Sequence, residues 1–151
     1  MATEDITIEV TVVRQDNADS KPYEEVFRVP YKVRMNVISV LMEIQANPMN
    51  ASGKAVPPVA WDQACLEEVC GSCTVRVNGR VMQACSALID NVTKLEGSTR
   101  RLKLEPMSKF PTVRDLVVDR SKMFENLKKI QGWIPIDGTY DLGPGPRMSQ
   151  K

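Results

Sequence analysis

The stretch Cys65-Leu66-Glu67-Glu68-Val69-Cys70-Gly71-Ser72-Cys73-Thr74-Val75-Arg76-Val77-Asn78-Gly79-Arg80-Val81-Met82-Gln83-Ala84-Cys85 holds every cysteine of the chain, in the order C-x4-C-x2-C-x11-C. Cys73 to Val77 alternates apolar and polar residues, Asn78-Gly79 follows, and Val81 to Cys85 returns. Asn-Gly between two such runs signals a tight hairpin. A hairpin here folds Cys85 back beside the loop that bears Cys65, Cys70 and Cys73, so spacing and topology bring the four thiols together. Four thiolates supplied by a tight loop and one returning strand are the ligand set of a [2Fe-2S] cluster. The expected role is electron transfer.

Two blander uses of four cysteines compete. Disulfide frameworks belong to short secreted chains, and the opening Met1-Ala2-Thr3-Glu4-Asp5 has neither the basic nor the apolar segment of a secretion signal. A structural zinc site is the stronger rival, because zinc accepts the same four thiolates. Zinc knuckles, however, come as paired short spacings, whereas here one unequal triple has a single distant partner.

Composition narrows the class. The chain has 151 residues, 42% hydrophobic and 26% charged, ordinary for a globular protein with one real core. With 20 Lys and Arg against 19 Asp and Glu the formal charge is +1, which gives no field for nucleic acid or an anionic membrane. No apolar run reaches the roughly 18 to 20 residues that span a bilayer. Histidine is absent, which removes the commonest general base and excludes a Rieske centre. A basic run, Lys94 with Arg100, Arg101 and Lys103, reads as a solvated strand end.

Outward from the cysteines the pattern is α+β. Ile6 to Val12 alternates with period two and is rich in β-branched residues, so it predicts a half-buried strand. Asp16 to Pro22 is turn-like, and Tyr23 to Val29 predicts the second strand of a hairpin ended by Pro30. Asn36 is placed to cap a helix with Val37, Val40, Leu41 and Ile44 on one face, stopped by Asn47-Pro48. Met49 to Pro58 predicts a loop into the cysteines, and Leu102 to Pro106 a further strand. Ser121 to Ile130 predicts a short helix, Trp133 to Tyr140 an extended apolar arm, and Gly143-Pro144-Gly145-Pro146 a tail.

The chemistry suits these residues. A four-thiolate [2Fe-2S] centre gains negative charge on reduction without taking a proton, so the protein must offer hydrogen-bond donors to the sulfurs. Gly71 permits a sharp turn that points the N–H groups of Gly71, Ser72 and their neighbours at the sulfurs, and the Ser72 hydroxyl offers one more donor. A Ser72 that serves only the turn is the alternative. Glu67 and Glu68 would oppose reduction if they faced the cluster; they are expected to face water.

Cys65 to Cys73, Asn78-Gly79 and Cys85 at the x11 spacing resemble the N-terminal ferredoxin domain of the iron-sulfur subunits of succinate dehydrogenase and fumarate reductase. Leu104-Glu105-Pro106-Met107, Val113 to Ser121 and Ile136 to Arg147 resemble that family's inter-domain stretch, so the similarity runs from Ile6 to Arg147. The resemblance implies a β-grasp, plant-type ferredoxin-like mixed sheet with one crossing helix over residues 1–106, followed by a short helix and arm over 107–151. It implies Cys65, Cys70, Cys73 and Cys85 as cluster ligands, with Gly71 and Ser72 in the cofactor-binding loop.

It also implies partners: a flavoprotein (FAD) subunit that hands electrons to the [2Fe-2S] centre, and a membrane-anchor subunit reached through two further clusters and quinone. The expected location is peripheral, on the cytoplasmic side of the bacterial inner membrane, with no catalytic residue of its own. Two departures stand out. Many members have glycine at the place of Glu68, and the family continues into a helical domain with cysteines for a [4Fe-4S] and a [3Fe-4S] cluster, none of which occur here. The expectation is therefore an N-terminal half whose Trp133, Ile134 and Ile136 contact the flavoprotein or the helical domain. A freestanding soluble ferredoxin is the rival, opposed by the balanced charge and the short x11 gap; a zinc-stabilised interaction module is the other.

Overall fold

The computed structural model describes residues 6–132. The chain divides into two compact units, residues 1–119 and 120–151. In the first, β1 (Thr7–Arg14) alternates as its sequence predicts, with Ile8, Val10 and Val12 fully buried. β2 (Tyr23–Pro30) returns antiparallel, setting Phe27 opposite Val10. α1 (Val37–Ala46) is capped by Asn36, whose side chain accepts the Ser39 N–H at 2.9 Å. Its Val37, Ile38, Val40, Leu41 and Ile44 are buried, a wider stripe than the four residues the spacing picks out.

After the cysteine loop come β3 (Thr74–Val77), β4 (Arg80–Gln83), the single turn α2 (Ile89–Val92), β5 (Leu95–Glu96) and β6 (Thr99–Glu105). The strand order is β2-β1-β6-β3-β4, with β5 paired to β6. β6 runs parallel to β1 and antiparallel to β3, so Leu102 lies opposite Val10 and Leu104 opposite both Val12 and Val77. One mixed sheet with a helix across it is the β-grasp arrangement. Phe27, Leu41, Ile44, Ile89, Leu102 and Leu104 are the largest apolar side chains in its core, each almost wholly out of water. Burying one such side chain contributes about 1.5–3 kcal/mol.

At the cysteine hairpin two boundaries differ from the sequence reading. β3 starts at Thr74 and β4 ends at Gln83, so Cys73 and Cys85 flank the hairpin instead of lying in it. Gly71 C=O accepts the Thr74 N–H at 3.1 Å, which turns the chain into β3, and Gln83 C=O accepts the Ser86 N–H at 3.3 Å, which turns it out of β4. The rung between them remains: the Ala84 N–H donates to Cys73 C=O at 3.1 Å. The hairpin turn itself takes the left-handed backbone that Asn-Gly favours, with φ +47 at Asn78 and +80 at Gly79.

Three members of the basic run have acidic partners. Arg100 pairs with Asp90 at 2.8 Å and lies over the Tyr31 ring, Arg101 pairs with Glu96, and Lys103 with Glu24. A small hairpin of β7 (Thr112–Arg114) and β8 (Val117–Val118) completes the first unit. In the second, α3 (Ser121–Lys129) places Lys128 and Lys129 in its last turn, where they complement the helix dipole. The arm Trp133 to Tyr140 and the Gly/Pro tail lie outside the described residues.

Arg14 continues the inward parity of Ile8, Val10 and Val12 and is 1% exposed. Its guanidinium meets Asp115 through Nε at 3.1 Å and Nη2 at 3.0 Å, and Glu25 through Nη1 at 2.7 Å. It also donates to Pro57 C=O at 2.8 Å and Pro58 C=O at 3.2 Å. Asp115, fully buried at the tip of the β7–β8 hairpin, additionally accepts the Ala60 N–H at 2.8 Å and the Gln15 N–H at 3.1 Å. Burial pulls the guanidinium pKa down, and the two carboxylates more than offset it, so Arg14 stays charged. The pair ties β1, residues 57–60 and the β7–β8 hairpin together.

Removing one member of a buried pair leaves the other uncompensated. Asp115→Ala should lower the free energy of unfolding by about 3–5 kcal/mol in urea titration. A loss below about 1 kcal/mol, the scale of a surface pair, would show that Glu25 and the two prolyl carbonyls suffice.

Candidate iron-sulfur site

Residues 62–71 contain no helix or strand, and the loop gets its shape from backbone angles. Leu66 and Glu68 take φ of +61 and +59, and Gly71 takes +72. Left-handed residues alternating with ordinary ones turn successive N–H groups to one side, which is the geometry of an anion-binding nest. A Cβ at Gly71 would meet nothing nearer than Thr74 Oγ1 at 3.8 Å, so the glycine serves the backbone angle and not the space.

The N–H groups point at sulfur. Glu67 and Cys70 both donate to Cys65 Sγ at 3.3 Å, Cys65 donates to Cys70 Sγ at 3.5 Å, and Ser72 donates to Cys70 Sγ at 3.4 Å. The Ser72 hydroxyl bonds the Cys70 sulfur as well, so it does more than shape the turn. Gly71 contributes through its carbonyl, which accepts the Thr74 hydroxyl at 2.6 Å. Across the site, Cys85 lies near Cys73 and the Glu68 N–H, both of which bear on its charge.

Cys65 and Cys70 thus form one pair on the loop, and Cys73 and Cys85 a second at the hairpin base. Cys70 is exposed, whereas Cys73 and Cys85 are buried. Among the described residues no group of three or more His, Cys, Asp or Glu side chains is gathered closely enough to hold a single metal ion. The thiols are set as pairs.

Their proton affinities diverge accordingly. The Cys65 N–H, then the Ser72 hydroxyl and N–H, then the Cys65 side chain pull the Cys70 thiol down to about 6. Burial pushes the Cys85 thiol up, and its bond to Cys73 and the negative charge of Cys73 and Cys65 add to that against the Glu68 N–H. A donor set that stabilises sulfur anions fits a group held by thiolates, which bind deprotonated.

Several supporting residues were not legible as such. Asn36, read as a helix cap, also donates from Nδ2 to Cys85 C=O at 2.8 Å, which docks the start of α1 on the Cys85 turn. Val37 N–H bonds Ala87 C=O at 3.0 Å beside it. Glu67 and Glu68 are both exposed, but Glu68 Oε1 accepts the Ser86 hydroxyl at 2.8 Å and its C=O accepts Gln83 Nε2 at 3.2 Å. Glu68 therefore adopts the backbone region that glycine favours, and is held there by side chains.

In the metal-free chain near pH 7, alkylation followed by peptide mass analysis should label Cys70 faster than Cys85, because the former is mostly thiolate there and burial holds the latter protonated. Ser72→Ala should move the Cys70 reactivity midpoint upward in pH; an unmoved midpoint would mean the hydroxyl points elsewhere.

Residues 9–125 match the family of 2Fe-2S iron-sulfur cluster binding domains. The chain is 55% identical over 149 residues to the succinate dehydrogenase iron-sulfur subunit of Bacillus subtilis, covering 99% of this chain and 56% of that protein. It is 30% identical over 116 residues to the fumarate reductase iron-sulfur subunit of Haemophilus influenzae, covering 77% of this chain and 40% of that one. Among solved structures, the Mycobacterium smegmatis Sdh1 complex in the apo form contains a chain that superposes with a TM-score of 0.65 at 25% identity, covering 97% of this chain and 55% of that chain. The chain spans about half the length of these relatives. It belongs to the 2Fe-2S iron-sulfur cluster binding domain family, in the form found in the iron-sulfur subunits of succinate dehydrogenase and fumarate reductase.

Proposed function

We propose that Cys65, Cys70, Cys73 and Cys85 ligate the [2Fe-2S] centre, and that the chain carries single electrons between a flavoprotein (FAD) subunit and further iron-sulfur clusters and quinone in a succinate dehydrogenase or fumarate reductase complex. The observation that carries the ligand assignment is the convergence of N–H donors on sulfur from a loop with two left-handed non-glycine residues. The centre, when bound, supplies one-electron redox chemistry. The residues of the chain would hold the centre through two pairs of thiolates, Cys65 with Cys70 and Cys73 with Cys85, and would soften added negative charge with backbone dipoles instead of a proton.

The loop tip supports exchange with a partner. Leu66 and Val69 are large apolar side chains that are half or more exposed, beside the exposed Cys70. Exposed apolar surface around a redox centre suits a protein contact. Residues 1–106 then act as the ferredoxin-type domain and 107–151 as the stretch toward the cluster-bearing helical domain known from the family. Among the described residues no helix is long and apolar enough to cross a membrane, which suits attachment at the cytoplasmic face through a membrane-anchor subunit.

Replacing any one of Cys65, Cys70, Cys73 or Cys85 by Ala should abolish or strongly reduce the rhombic EPR signal of the reduced chain. Ser72→Ala should keep the signal and lower its midpoint potential, since a donor to sulfur is lost. A Cys85→Ala variant with an unchanged signal would remove that residue from the ligand set.

A further inference from the structure

Glu68 lies in the loop between Cys65 and Cys70, with φ at +59. That region is strained for a non-glycine residue, so neighbouring contacts must hold it. All of its contacts described above lead to one short segment. Ser86 Oγ donates to its carboxylate at 2.8 Å and Gln83 Nε2 donates to its carbonyl at 3.2 Å, and its N–H is on the side of Cys85, where it favours the thiolate. Residues 83–86 are the end of β4 and the turn that presents Cys85.

The two cysteine pairs have different supports. Cys73 and Cys85 are anchored in the core, whereas the loop bearing Cys65 and Cys70 is largely exposed and lacks regular structure. A fixed separation between the pairs requires a link across the opening. We propose that Glu68 is a positioning residue that supplies this link: its carboxylate hooks the Ser86 hydroxyl, clamps the loop to the Cys85 turn, and keeps the Glu68 N–H aimed at Cys85 Sγ. The proposal rests on the four-cysteine ligand assignment above.

The carboxylate has two effects of opposite sign on the redox centre. Through the hook it holds a donor on sulfur, which favours the reduced state; through its charge it disfavours added negative charge. Ser86→Ala keeps the charge and loses the hook. Glu68→Gln keeps an acceptor oxygen for Ser86 and loses the charge. Glu68→Gly loses the hook and relieves the backbone, so its apo form should be no less heat-stable than the wild type.

The test uses the 151-residue chain reconstituted anaerobically with iron and sulfide. Midpoint potential is read by EPR-monitored titration, and cluster loss by visible absorbance in the presence of a ferrous chelator. Ser86→Ala should titrate below the wild type and Glu68→Gln above it. Ser86→Ala and Glu68→Gly should each lose the cluster about tenfold faster, the scale of a lost outer partner of a metal ligand. The double variant Glu68→Gly/Ser86→Ala should lose it no faster than Glu68→Gly alone, because one contact is removed in both. Wild-type potentials for Ser86→Ala and Glu68→Gln, with wild-type retention in Glu68→Gly, would overturn the proposal. A wild-type chain with no rhombic signal would instead overturn the ligand assignment, and is distinguishable by that missing signal.

Discussion

A loop without helix or strand has to hold two thiols at fixed positions, and the structure of this chain is organised around that constraint. The loop is held from outside at three places. Upstream, the buried Arg14–Asp115 pair fixes residues 57–60 to β1 and to the β7–β8 hairpin. Downstream, the Gly71–Thr74 turn delivers the chain into β3, whose partner β6 lies in the centre of the sheet. Across the opening, Glu68 reaches the turn that follows β4. The sheet and helix serve as the rigid frame to which these three ties are made.

The same arrangement grades the environment of the four sulfurs. Cys70 sits near solvent among N–H donors that favour its thiolate, with Cys65 beside it in the same loop. Cys73 and Cys85 are rooted in the core, and for Cys85 burial opposes charge, which a bound metal would offset. The proposed electron exchange would use that asymmetry: one edge exposed, the other rooted in the packed core. The apolar Leu66 and Val69 lie on the open edge.

The sequence made the frame legible because its elements are long and strongly periodic. β1, β2, α1 and the Asn78-Gly79 hairpin follow directly from alternation, a 3.6-residue stripe and turn chemistry. α2, β5 and the β7–β8 hairpin were not legible, since elements of two to four residues show no period and form only where tertiary contacts hold them. Arg14 carried a readable signal in its parity with Ile8, Val10 and Val12, but its partner Asp115 lies 101 positions away, and pattern reading does not span that distance. At the site, the cysteine spacing, the sharp turn at Gly71 and the Ser72 N–H aimed at sulfur could be read locally; the second contact of Asn36 and the reach of Glu68 to Ser86 depend on the packed turn.

The ligand assignment is tested most directly by counting. The anaerobically prepared 151-residue chain should contain about two irons and two acid-labile sulfides, and take up about one electron in reductive titration. A colourless chain holding zinc without sulfide, or an iron-loaded chain that accepts no electron, would contradict it.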